Sequence, residues 1–158
     1  MRKRSKYRPR GVIIDTISHV CSGFRKAGTL PGIGVDLKIK NHQALDSIMR
    51  GEGTRDHIEV LIAALNMAEA MYCVNPALGA EWSPEIREAQ DALYNMSKRG
   101  LKTNKFVFYA PEMMALRKIL ELHDVQLDNC TVKEMEQALY YVQSAIKHNK
   151  TRRIDADI

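Results

Sequence analysis

Residues 54–76 read TRDHIEVLIAALNMAEAMYCVNP, and this stretch decides the fold class. Its apolar residues recur every three or four positions, the period of one face of an α-helix. The stripe comprises Ile58, Leu61, Ile62, Leu65, Ala68, Met71 and Tyr72. Thr54 begins the helix, and Asn75-Pro76 ends it because proline disfavours helix in the preceding residue. The longest apolar run, residues 60–65, is far shorter than the ~20 residues that a membrane-spanning helix needs, so no membrane partner is expected.

The same period and similar end signals predict helices in five other stretches. Residues 12–28 carry a stripe that ends at a glycine, and residues 42–51 follow a possible cap at Asn41. Ser83 followed by proline predicts a helix to about residue 99, and a further helix is predicted over 111–125. Thr131 and Glu134 form a capping box for the last helix, which extends to about residue 146.

Two short segments have a different pattern. VDLKIK at residues 35–40 alternates between apolar and polar side chains, and period two is typical of an edge strand. FVFY at 106–109 is an apolar run that could pair with it. The predicted fold is therefore all-α, a bundle of five or six helices with room for one short two-stranded β-hairpin.

The charge of the chain is concentrated at its ends. The 158 residues carry a formal net charge of +5, and residues 1–10 hold six basic side chains and no acidic one. Residues 11–146 have a net charge of −3. We therefore divide the chain into a flexible basic arm over residues 1–10, a single helical domain over 11–148 and a flexible tail over 149–158.

No catalytic or metal-binding motif is visible. The histidines and carboxylates lack the spacing of metal-ligand pairs, and the three cysteines have no close partner, so no metal and no cofactor is expected. His42 and Asp46 stand four apart on a predicted helix and could touch, with a surface or capping pair favoured over a functional one. Tyr140, Tyr141 and Trp82 could be contact anchors, although core or half-buried packing is favoured for them.

The basic arm is the strongest functional signal in the sequence. Its cations suit nucleic-acid phosphates, since each neutralised phosphate releases a counterion, and its tyrosine could stack on an exposed base. An acidic protein surface, anionic lipid or a role in solubility alone are the alternatives. The predicted nucleic-acid contacts comprise Arg2, Lys3, Arg4, Lys6, Tyr7, Arg8 and Arg10, with Lys150, Arg152 and Arg153 added if both ends lie on one face.

Four segments carry a resemblance. RKRSKYRPRGV at 2–12, DLKIKNHQALDSIM at 36–49, RGLKTNKF at 99–106 and LELHDVQLDNCT at 120–131 resemble, in this order, small uncharacterised accessory proteins encoded in bacterial phages and prophages. No fold, activity or site residue is established for that group. The resemblance implies expression in a bacterial cytoplasm and an accessory role, either control of genes or interference with a host defence complex.

Two functional hypotheses follow, and an enzyme is the least favoured third. The first is a non-enzymatic protein that engages nucleic acid or a nucleoprotein complex through the arm. The second is a protein-directed inhibitor or adaptor, for example an anti-defence protein of the anti-CRISPR kind, that acts on a host protein through the helical body. A homodimer is also possible, and it would place two arms together and raise avidity.

Overall fold

A computed structural model describes residues 33–152 of the chain. Within this range the chain forms five α-helices and no strand, which confirms the all-α prediction. They are α1 (Ile33–Met49), α2 (Arg55–Val74), α3 (Ser83–Thr103), α4 (Ala110–Asn129) and α5 (Val132–Lys147), with short 3-10 turns at Pro76–Leu78 and Ala80–Trp82. The predicted helix in residues 12–28, the arm and the end of the tail lie outside the described residues.

Helix α2 is the centre of the bundle. Thr54 caps it, because the Thr54 hydroxyl accepts from the backbone of His57 while the His57 ring accepts from the Thr54 N–H at 3.2 Å. The predicted stripe faces inward, and α2 packs against all four other helices. By length and composition alone α2 could also cross a membrane. Its apolar face is instead occupied by helix packing.

The predicted strand at 35–40 and the predicted hairpin are wrong. Residues 35–40 are the first turns of α1, and Val35 and Ile39 are exposed there. The inward positions are spaced as in a helix: Leu37, Asn41, Ala44, Leu45 and Ile48. Asn41 therefore lies inside α1, buried, and does not cap a helix.

The second segment of the predicted hairpin is an extended connection between α3 and α4. Phe106 is buried, and its ring lies over Gly100 of α3, where a Cβ atom would stand only 2.1 Å from the ring. Arg99 holds the other end of the connection, since its two terminal nitrogens donate to both carboxylate oxygens of Glu112 at 2.8 and 2.6 Å. Ring packing and the ion pair thus fix the turn from α3 into α4.

Helix α3 begins one residue earlier than the sequence suggested. Ser83 has helical backbone angles and is the first helical residue, so it does not supply a side-chain cap. Helix α5, in contrast, has the predicted capping box. The Glu134 N–H donates to the Thr131 hydroxyl at 3.1 Å, and Glu134 accepts from the Thr131 N–H at 2.8 Å.

The core consists of two clusters joined along α2. The larger lies between α1, α2, α3 and α4, and the smaller fixes α5 to the end of α2 through Met71, Leu127, Cys130 and Ala138. Only Ala138 of α5 is fully buried. Helices α3 and α5 both pack on α2 without packing closely on each other, so a groove remains between them.

Candidate functional site

The structure describes two of the predicted nucleic-acid contacts, Lys150 and Arg152. The arm residues Arg2, Lys3, Arg4, Lys6, Tyr7, Arg8 and Arg10 lie outside the described residues, and so does Arg153. The relation of the two chain ends to each other therefore stays a prediction. Lys150 and Arg152 themselves follow α5 directly and line the groove between α3 and α5.

These two basic residues differ in their contacts. Lys150 is exposed, and its backbone N–H donates to Ala145 at 2.9 Å, which continues the end of α5. Arg152 reaches across to α3, where its guanidinium contacts Asp91 at 2.6 Å and lies 4.8 Å from the centre of the Tyr94 ring. The guanidinium of Arg152 is thus already engaged by two residues of α3, and Arg152 bridges the groove at one end.

The groove has three sides and a volume of about 980 Å³. Helix α2 forms its floor with one continuous stripe, and α3 and α5 form its walls. Along α2 the lining forms a stripe from Arg55 to Glu69, a length of about 21 Å at 1.5 Å per residue, and Val74 at the end of α2 also lines the groove. The apolar part of the lining comprises Ile58, Ile62, Leu65, Val74, Leu93, Leu101, Phe106, Val142 and Ala145.

Charged pairs line the polar parts of the groove. On the α3 side, Glu69 accepts from Gln90 at 2.7 Å and lies 3.7 Å from Arg87. On the floor, Arg55 contacts Glu59 one turn along the same helix at 3.3 Å. The lining has four basic residues, these two arginines together with Lys150 and Arg152, against two carboxylates, so its formal charge is positive.

Tyrosines stand along the walls. Tyr140 is 73% exposed, which corrects the preference for core or half-buried packing, whereas Tyr141 at 46% and Trp82 at 36% are roughly half-buried. A hydrogen bond with Cys73 raises the pKa of Tyr141, and burial raises the pKa of Tyr72 beside it. Both phenols therefore keep their protons and can act as donors at neutral pH. Tyrosine and arginine together in one lining are a common composition of binding surfaces.

A second polar cluster joins α1 to α4. His42 contacts Asp124 through Nε2 and Oδ2 at 2.7 Å, and one turn earlier Lys38 pairs with Asp128. The predicted contact between His42 and Asp46 is therefore replaced by one across two helices, and Asp46 is exposed. Helix period alone could not show this, because the partner is 82 residues away.

The remaining described histidines each have a local contact. His57 belongs to the α2 cap, and His148 donates from its ring to the Ser144 carbonyl at 2.8 Å. His123 is buried and bonds to Gln126, and burial lowers the pKa of its ring. Within residues 33–152, no three His, Cys, Asp or Glu side chains are grouped so as to hold a metal ion.

The two described cysteines differ in exposure. Cys130 is buried in the smaller core cluster, as a small apolar residue would be, whereas Cys73 is exposed. Sequence reasoning missed most of the groove, since Arg55, Arg87 and Tyr94 are each ordinary residues on the polar side of a helix. The adjacent tyrosines on α5 were its one visible signal.

The chain was also compared with known proteins. It matches no protein family, no curated protein and no solved structure.

Proposed function

We propose that this chain is a non-enzymatic binding protein that engages nucleic acid or a nucleoprotein complex through its basic arm, residues 1–10. Lys150, Arg152 and Arg153 at the other end of the chain supply further cations. Consistent with the resemblance to phage accessory proteins, the proposed setting is the cytoplasm of a bacterial host.

The distribution of charge carries this proposal. Residues 33–152 hold fifteen basic and sixteen acidic side chains, so the helical body is close to neutral. The positive charge of the whole chain therefore comes from residues 1–32, above all from the six cations of the arm, because residues 153–158 carry one basic and two acidic side chains. Six cations can neutralise several phosphates, and the released counterions make such binding strong at low salt.

The helices offer less to a nucleic acid than the ends do. Glu134 occupies the first turn of α5 and Glu85 the first turn of α3. A recognition helix presents its first turns to the base edges and phosphates of the major groove, where these carboxylates would be repelled. This supports contact through the arm over reading by an internal helix.

The non-enzymatic part of the proposal is supported by the histidines. His42, His57, His123 and His148 each have a contact that holds a helix end, a helix pair or the core. General acid–base catalysis needs a group that is accessible to substrate with its pKa matched to the reaction. A buried, neutral His123 is not accessible in this way.

The test compares the full chain with a chain that starts at residue 11. Both are titrated with labelled duplex DNA, single-stranded DNA and RNA at salt concentrations from ~50 to ~300 mM. We expect the full chain to bind with a steep salt dependence and the truncated chain to lose both affinity and slope. Charge-neutral replacement of the six basic arm residues is the matched control for shortening the chain.

The outcome that contradicts the proposal is equal, weak binding by both chains. If the chain with the neutralised arm binds nucleic acid as tightly as the natural chain, the proposed contacts between arm cations and phosphates are contradicted, whatever the truncated chain shows.

A second candidate is a protein-directed inhibitor or adaptor that acts through the helical body. The observation that favours it is the groove, whose lining combines apolar side chains with exposed tyrosines and with arginines. This candidate predicts that partner binding survives removal of residues 1–10 and is lost on charge reversal at the groove, for example Arg87→Glu.

A further inference from the structure

We propose that the groove between α3 and α5 binds one acidic amphipathic α-helix of a protein partner. This deepens the second candidate function and names the class of its partner. It is independent of the arm, so nucleic-acid binding and helix binding can each fail alone.

The shape of the groove fits a helix. Its floor is a single stripe of α2, about 21 Å long, which corresponds to about four helical turns. Helices α3 and α5 stand on either side of this stripe and pack on α2 rather than on each other. A helix laid between them would occupy the position of one further bundle helix, touching three described helices.

The lining fits the apolar face of such a helix. Ile58 and Leu65 are buried beneath the floor, whereas Ile62, Leu101 and Val142 are only partly buried and present apolar surface that a partner's side chains can cover. Tyr140, at 73% exposure, stands on the α5 wall, where a helix would cover its ring. Large aromatic side chains that become buried on binding supply much of the affinity of helix-in-groove complexes.

The charge of the lining selects the sign of the partner. Glu59 and Glu69 are already paired with Arg55 and Arg87 inside the groove. Lys150 and Arg152 add two further positive charges, and only that of Arg152 is paired, with Asp91. Acidic side chains that flank the apolar stripe of a bound helix would therefore complement the lining, and basic ones would be repelled.

The same argument disfavours helices of this chain as the occupant. The predicted helix in residues 12–28 contains Asp15 against Arg25 and Lys26, so its charge has the wrong sign. Helix α5 of a second copy carries two basic and two acidic residues. An acidic helix from a different protein is the better match.

The experiment uses the full-length protein and three labelled 16-residue peptides in a fluorescence-anisotropy titration. The first has a leucine stripe flanked by glutamates, the second has lysine at every glutamate position, and the third is the sequence of residues 12–27. We expect saturable binding of the glutamate peptide, at least about tenfold tighter than binding of the other two.

Variants then locate the binding. Tyr140→Ala and Arg87→Glu should each weaken binding of the glutamate peptide by about tenfold or more, as expected for groove anchors. Leu139→Ala is the matched control, because Leu139 is the exposed neighbour of Tyr140 and does not line the groove. Thermal unfolding of each variant checks that the bundle is intact.

Several results would overturn the proposal. One is binding of the lysine peptide as tightly as the glutamate peptide, and another is tighter binding of peptide 12–27. A third is glutamate-peptide affinity that stays unchanged in both groove variants. Displacement of the peptide by a single-stranded oligonucleotide from the chain that starts at residue 11 would assign the groove to nucleic acid instead.

Discussion

His123 is a titratable side chain inside the core, and its hydrogen bonds explain why it is tolerated there. Its Nδ1 lies 3.0 Å from Oε1 of Gln126, and the Gln126 amide nitrogen donates to the carbonyls of Ala68 and Leu78. These hydrogen bonds connect α4 to α2 and to the turn that follows α2. Such a network stabilises the fold because each of its buried polar atoms has a partner.

This burial predicts an acid-sensitive stability. The pKa of His123 is lowered below its ordinary value of 6.5 by desolvation, which outweighs the bond to Gln126 and the nearby Asp124. The unfolded chain therefore takes up the proton first as the pH falls. The stabilisation by neutral His123 is complete above pH 6.5 and is lost on acidification, by up to about 1.4 kcal/mol per pH unit.

The measurement is the free energy of unfolding in urea at pH 7.5, 6.5 and 5.5. In His123→Gln, which keeps a donor for Gln126 but does not titrate, the decline with falling pH should be shallower than in the natural chain. His148→Gln, at the exposed end of α5, is the control and should keep the natural decline. Parallel curves for natural chain and His123→Gln would contradict the assignment.

At the scale of elements, α1 shows what a short pattern cannot decide. Six residues of strict alternation predicted a strand, yet the segment is helical because Leu37, Asn41, Leu45 and Ile48 form one inward stripe across its whole length. A polar residue in that stripe hid the longer period. Asn41 is buried, and its amide nitrogen has no hydrogen-bond partner. Asparagine is usually exposed, so the residue type gave no sign of this burial.

A proline at residue 40 separates the two readings of this segment. Lys40 is exposed in the middle of α1, so Lys40→Pro would remove an internal hydrogen bond and should cost about 3 kcal/mol or more. On an exposed edge strand the same change would be nearly neutral. Urea unfolding monitored by circular dichroism measures it, with Lys40→Ala expected to be neutral. An unchanged unfolding midpoint for the proline variant would contradict the helix.

The other four helices were predictable because each has several signals that agree. Helix α2 combines a cap, a long stripe and an Asn-Pro end, and its observed limits are the predicted ones. Helix α5 has a capping box that the structure confirms. Where local signals agree over three or more turns, packing has little freedom to choose another structure.

At the scale of the whole molecule, the groove could not be predicted. It depends on α3 and α5 packing on α2 while staying apart from each other, and no local pattern encodes that spacing. Its residues come from three helices and the segments that follow two of them, where each reads either as a core position or as an ordinary solvent-facing one. The basic arm is the opposite case, since ten consecutive residues display it in the sequence, but the described residues do not include it.

Two separate surfaces on one chain suit a nucleoprotein target, on which protein and nucleic acid lie close together. If the arm binds phosphates and the groove binds an acidic helix, a ligand that offers both should gain from effective concentration. We expect the glutamate peptide joined to an oligonucleotide by a flexible linker to bind about 10² to 10⁴ times more tightly than either part alone. The gain should peak at an intermediate linker length, since a linker that is too short cannot span both sites.

Each half of this gain has its own control. Removing residues 1–10 should reduce the affinity for the conjugate to that of the free peptide, and Tyr140→Ala should reduce it towards that of the free oligonucleotide. Leu139→Ala should leave the gain intact. If the conjugate binds no better than its stronger part at any linker length, the two surfaces do not serve one ligand. The arm and the body would then act on different partners.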